Sequence, residues 1–155
     1  MIDVLRVGPE DWELWRAVRR AALAEAPGAF GSTLAEWSGA GYGEQRWRDR
    51  LESVPLNLVL TVAGNPVGMV SATEPGSDGA IELISRWVHP DVRGQGIGDE
   101  AIRQVIEWAR AAHPGSRLLL SVKTGNEPAR RLYQRHGFID AGPSPDGPTE
   151  RLMRR

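Results

Sequence analysis

The 155-residue sequence predicts a mixed α/β fold, a twisted central sheet with helices on both faces. Three observations predict it. Apolar residues at helical spacing alternate with apolar runs of strand length. Gly64-Asn65-Pro66 between two such runs is a hairpin signal, so part of the sheet is antiparallel. A strand–helix–strand unit over residues 80–123 requires at least one parallel pair joined by a right-handed crossover. The length suits one domain spanning 1–155, and 41% hydrophobic with 25% charged residues is enough for an ordinary apolar core.

In order, Val4–Val7 reads as a first strand closed by Gly8-Pro9. From Asp11 to Ala26 a helix buries Trp12, Trp15, Val18, Ala22 and Leu23, and Pro27-Gly28 ends it. The glycine-rich stretch Ala29–Gly43 reads as an irregular loop or broken helix. Glu44–Glu52 is a short helix anchored by Trp47 and Leu51. Strands follow at Asn57–Ala63, Val67–Thr73 and Ala80–His89. After a turn at Arg93–Gly98 comes an amphipathic helix to about Ala112, with Ile97, Ala101, Ile102, Val105 and Trp108 inward. Arg117–Lys123 is a strand, Asn126 caps a helix that Gly137 stops, and Phe138–Ala141 with Glu150–Arg154 closes the sheet. The order is β-α-α-β-β-β-α-β-α-β-β.

Composition narrows the function. No cysteine is present, which removes disulfides, thiolate metal sites and a cysteine nucleophile, and the three histidines lack metal-binding helical spacing. No metal is expected. The N-terminus lacks a signal peptide's apolar stretch and no run nears the ~20 residues a membrane span needs, so a cytoplasmic protein without a membrane partner is expected. Net charge is −1, against bulk nucleic-acid binding. The charge is uneven, however, with residues 1–85 at −5 and 86–155 at +4. A basic second half suits an anionic ligand there.

The chemistry concentrates at Arg93-Gly94-Gln95-Gly96-Ile97-Gly98, where a strand stops and alternating glycines open a helix. Glycine allows positive φ and close backbone approach. Free amides from Gln95 to Asp99, aided by the helix dipole, can converge on a pyrophosphate. A P-loop needs Lys-Ser/Thr after the last glycine, where Asp99-Glu100 stand. A dinucleotide fingerprint needs a later third glycine and an acidic residue about 20 positions on, where Ser116 and Arg117 stand. The acyl-CoA pattern Arg/Gln-x-x-Gly-x-Gly is filled by Arg93, Gly96 and Gly98. A plain loop with glycines for tight packing is the bland alternative.

Trp87-Val88-His89-Pro90 with Arg93–Gly98, then Lys123-Thr124-Gly125-Asn126, Ala129-Arg130, Leu132-Tyr133 and His136-Gly137-Phe138, resembles the two cofactor motifs of the GNAT superfamily of N-acetyltransferases. Pro27–Thr33 is similar to a loop found in some members. The resemblance covers nearly the whole chain and implies a GNAT-like fold, acetyl-CoA as co-substrate, and direct transfer to a primary amine of a small molecule or peptide. It implies cofactor contacts at Trp87, Val88, Arg93, Gly94, Gln95, Gly96, Ile97, Gly98, Asp99, Asn126, Ala129 and Tyr133. The backbone of Trp87 and Val88 would pair with pantetheine as an added strand, and the Val88 N–H would hold the oxyanion. Asp99 departs from the pattern, being an acid close to a diphosphate. Homodimers are common among similar proteins, and no segment here marks an interface.

On periodicity alone Tyr133 reads as a core tyrosine with a satisfied hydroxyl. The resemblance instead implies that it is the acid: a free phenol, with pKa near 10, is protonated at neutral pH and can donate to a thiolate. Asn126 fits either a cofactor contact or a helix cap. Glu82 fits three roles: general base, anchor for a cationic substrate, or partner of Arg86. Strict alternation would put 82, 84, 86 and 88 on one face, unless a bulge intervenes. Ser85 and His89 are weaker candidates. The resemblance implies that the acceptor enters near Phe30, Ser32, Thr33, Glu36 and Trp37, residues that suit a loop packed on the core better still. The rival readings are a non-catalytic acyl-CoA-binding sensor or interaction module, and an ATP-binding domain using the same turn.

Overall fold

The computed structural model describes residues 1–26, 35–37 and 43–155. Its elements follow the expected order. β1 (Ile2–Arg6), α1 (Trp12–Glu25) and α2 (Glu44–Ser53) come first. β2 (Leu56–Val62), β3 (Asn65–Ala72) and β4 (Ala80–Val88) follow. The chain ends with α3 (Ile97–Ala112), β5 (Arg117–Lys123), α4 (Glu127–Arg135), β6 (Ile139–Pro143) and β7 (Glu150–Arg154).

These strands form one seven-stranded sheet in the order β1-β2-β3-β4-β5-β7-β6. All neighbours are antiparallel except β4 and β5, the parallel pair required by the α3 crossover. The hairpin between β2 and β3 turns one residue earlier than expected. Ala63 (φ 51°) and Gly64 (φ 80°) take the two left-handed central positions, and Asn65-Pro66 already belong to β3.

Each face of the sheet buries its own core. α3 and α4 pack on one face over Leu58, Leu60, Val70, Ile81, Leu83 and Leu120. Trp15, Val18 and Ala22 of α1 and Trp47 and Leu51 of α2 pack on the other, over Val59, Met69 and Trp87. Burying one large apolar side chain contributes about 1.5–3 kcal/mol. Trp15 and Trp47, at 0% and 1% exposure, are therefore the main anchors of the thinner core.

Two irregularities in β4 prepare the site. Its parallel pairing with β5 covers only Ala80↔Arg117, Ile81↔Leu118 and Glu82↔Leu119, so the C-terminal half of β4 is not paired with β5. Against β3 the register slips: Met69 faces Trp87 while Ser71 faces Ile84, leaving one extra residue in β4. Ser85 adopts the left-handed region (φ 57°) at this bulge. The bulge breaks the strict alternation considered above. Glu82 and Ile84 share the α1/α2 face with Ser71, whereas Arg86 and Val88 turn to the α3/α4 face.

Candidate active site

The turn after β4 has the backbone its sequence demands. Pro90–Val92 forms a single 3-10 turn, Gly94 and Gly96 take φ of +81° and +86°, and α3 opens at Ile97 with no side chain capping Gly96. As in the first turn of any helix, the amides of Ile97, Gly98 and Asp99 have no carbonyl behind them to bond. They sit at the positive end of a 16-residue helix. Nothing lies within 4 Å of a Cβ built on Gly96, so glycine is needed there for its φ alone. Gly98 is needed for space: a Cβ would come 3.0 Å from Leu132 Cδ2 and 3.4 Å from Arg86 Nη1.

Beside this turn a cleft of about 590 Å³ runs between the end of β4, the α3 N-terminus and α4. It brings together Trp87, Val88, Arg93, Gly94, Gly96, Ile97, Gly98, Asp99, Asn126 and Ala129, all expected from sequence. The His89 N–H donates to the Val67 carbonyl at 2.7 Å. By the alternation of an antiparallel pair, the N–H and C=O of Val88 then point away from β3, into the gap beside β5.

Three expected residues stand elsewhere. Gln95 is exposed and does not line the cleft. Tyr133 is 6% exposed, edge-on to Phe138 at 5.9 Å, and its hydroxyl accepts from Arg86 Nε at 2.8 Å. Arg86 lines the cleft and Tyr133 does not. The reason is helical phase: Pro128, Arg131, Leu132 and Arg135 form the stripe of α4 that faces the cleft, and Tyr133 is one position round from it toward the core. Glu82 also lies off the cleft, half-buried on the other face of β4. Burial pushes its carboxyl above the ordinary range, and the negative charges of Asp146 and Glu150 push the same way. Arg86 bonds Tyr133, so the Glu82–Arg86 pair considered from sequence is replaced by a contact on the opposite face.

The other candidates sort readily. Asn126 caps α4, its Oδ1 accepting from the Ala129 amide at 3.3 Å, and it still lines the cleft. His89 Nδ1 accepts from the Asp91 amide, a local turn contact. Phe30, Ser32 and Thr33 lie outside the described residues. Trp37 belongs to a short helical turn with Glu36, which is exposed.

The charges on the cleft wall fall into two kinds. Arg93 is committed: Nη2 meets the Glu25 carboxylate at 2.9 Å and Nε donates to the Val88 carbonyl at 3.0 Å. Glu25 also accepts from Trp87 Nε1, tying the end of α1 to the end of β4. Asp99 is neutralised from α4. Burial opposes its charge, but a 2.8 Å hydrogen bond with His136 and the nearby Arg135 outweigh it and hold the carboxyl below its usual value. Arg131 has no ion pair among the described residues and remains available to an anion. Arg131, which was not among the expected residues, shares a helical face with Pro128 and Arg135, and that spacing is its one signal in the sequence. Glu25 gave none, since it meets Arg93 across 68 positions of sequence.

The sheet thus opens beside β4, with an uncapped glycine turn at the opening. The model of the acetyltransferase (GNAT) family matches residues 15–138. The chain belongs to the GNAT acetyltransferase family and is an acyltransferase. It is 29% identical over 146 residues to the L-methionine sulfoximine/L-methionine sulfone acetyltransferase of Pseudomonas aeruginosa, covering 83% of each chain. It is 33% identical over 101 residues to the peptidyl-lysine N-acetyltransferase YjaB of Salmonella typhimurium, covering 65% of this chain and 61% of that one. Among solved structures, a GNAT-family acetyltransferase from Streptococcus pneumoniae superposes with TM-score 0.80 at 22% identity, over 100% of this chain and 99% of that one. The PaiA N-acetyltransferase of Thermoplasma acidophilum, solved with coenzyme A, superposes with TM-score 0.77 at 15% identity, over 100% and 98%. No group of three or more metal-ligating side chains occurs among the described residues, and no helix there is long and apolar enough to cross a membrane.

Proposed function

We propose that the protein moves an acetyl group directly from acetyl-CoA to a primary amine of a small molecule or peptide, within a ternary complex. The observation that carries this reading is the uncapped α3 N-terminus, formed by left-handed Gly94 and Gly96, beside the gap into which Val88 N–H points. The site fits a diphosphate: free amides and a helix dipole face the cleft, Arg131 adds an uncommitted cation, and the one acid in the first turn that lines the cleft, Asp99, is held by His136 and Arg135. The relatives named above point to amines as acceptors, one on amino-acid derivatives and one on peptidyl lysine.

Acetyl-CoA supplies an activated carbonyl and a thiolate leaving group. The Val88 N–H donates to the carbonyl oxygen as negative charge develops there, a preorganised donor needing little reorganisation. Glu82 serves as base toward the acceptor ammonium through water, its raised pKa narrowing the gap to an alkyl amine. Tyr133, whose hydroxyl lies behind Arg86 and off the cleft, returns a proton to the sulfur through water. Its burial is what favours the second reading, a non-catalytic acyl-CoA-binding module, because such a module needs the turn and not the phenol.

A thermal-shift comparison tests the ligand. CoA at about 100 times its dissociation constant adds ~2.7 kcal/mol of stability. CoA and acetyl-CoA are expected to raise the melting temperature and ATP is not; an ATP shift of equal size would assign the turn to a nucleotide instead.

A further inference from the structure

We propose that Arg86 is the positioning residue for the Tyr133 phenol, aimed there by the bulge in β4. The inference rests on the reading of Tyr133 as the acid. Without the extra residue at Ser85, alternation would direct Arg86 to the α1/α2 face with Glu82 and Ile84. The left-handed Ser85, an unfavourable conformation for a serine, turns it to the α3/α4 face instead. There its Nε donates to the Tyr133 hydroxyl at 2.8 Å and its guanidinium carbon lies 5.3 Å from the ring centroid. Gly98 leaves room for it: a Cβ there would stand 3.4 Å from Arg86 Nη1.

The direction of the 2.8 Å bond is fixed. A guanidinium can only donate, so the phenol oxygen must accept, and the phenol's own hydrogen is left for another partner. No other hydrogen bond of that hydroxyl occurs among the described residues. Arg86 lines the cleft and Tyr133 stands directly behind this contact. In the acid step the Tyr133 O–H bond breaks and its proton passes to a water, which gives up one of its own to the departing CoA thiolate so that an S–H bond forms, and the electron pair of the broken bond stays on the phenolate oxygen. That oxygen then faces the Arg86 Nε–H in a charge-assisted hydrogen bond. Water returns the proton once CoA has left.

The test uses Arg86→Gln, Tyr133→Phe and the double variant, assayed by thiol release from acetyl-CoA with a saturating amine, with CoA affinity measured separately. Arg86→Gln is expected to lower kcat by about tenfold or more, as for loss of one charge-assisted bond, with CoA affinity changed less than about twofold. In the Tyr133→Phe background the same change should lower kcat by less than about twofold, because no phenol remains to position. An unchanged kcat in Arg86→Gln overturns the proposal, as does lost CoA affinity at constant kcat, or losses that multiply in the double variant. Should Arg86→Gln not fold, Arg86→Lys is read by the same kcat and affinity criteria. Wild-type kcat in Tyr133→Phe alone would instead remove the acid reading on which the proposal stands.

Discussion

Gly96 and Gly98 are both glycine for reasons that differ. At Gly96 the backbone sits at φ +86° with open space around it, so a β-branched residue meets strain in the main chain and nothing else. Gly96→Val should therefore abolish the CoA-induced thermal shift while the folded protein persists; a retained shift would mean the turn does not hold the diphosphate. Glu82 gives a test in pH. Its folded carboxyl titrates above the 4.5 of a free side chain, so the folded state binds its proton more tightly than the unfolded state does. The stability this lends is present below the free value and is lost as pH rises through the folded value. Glu82→Gln should thus be more stable than the wild type in urea at about pH 8, with the gap closing toward about pH 4. Reading residues from sequence works where conformation is local: the turn glycines and the Asn126 cap follow from their neighbours alone. It stops at pairs such as Glu25 with Arg93, which only the folded chain brings together.

Among the elements, β4 determines the site. It pairs with β5 over only three positions, and the remaining length exposes the Val88 backbone to the cleft. β4 and its place before the glycine turn were legible, because Ile81, Leu83, Ile84, Trp87 and Val88 form an apolar segment of strand length bounded by turn residues. The bulge was not, since no residue type requires it; Ser85 is an ordinary serine in a left-handed conformation. Replacing it tests whether the bulge is a fixed feature. Ser85→Gly relieves a left-handed strain of about 1 kcal/mol, so its urea midpoint should equal or exceed that of the wild type with acetyl transfer retained. A lower midpoint with lost transfer would mean that the Ser85 hydroxyl, which accepts from Arg50 at 3.4 Å, matters more than the backbone. The phase of α4 is a subtler case. Its cap and its end were legible, yet a one-position rotation separates the cleft stripe from the phenol behind it.

At the scale of the molecule, one sheet carries two cores, and the site lies where the strand they share leaves its parallel neighbour. The uneven charge of the chain acquires a location here. The basic second half supplies Arg86, Arg131 and Arg135 to the cleft, and the acidic first half supplies Glu25, which clamps Arg93. The most direct measurement of the account is CoA thiol release from acetyl-CoA across a panel of primary amines, run beside a CoA-binding titration. Release that depends on both the amine and acetyl-CoA is the predicted result. CoA binding with no release for any amine would contradict it and leave a binding module in place of an enzyme.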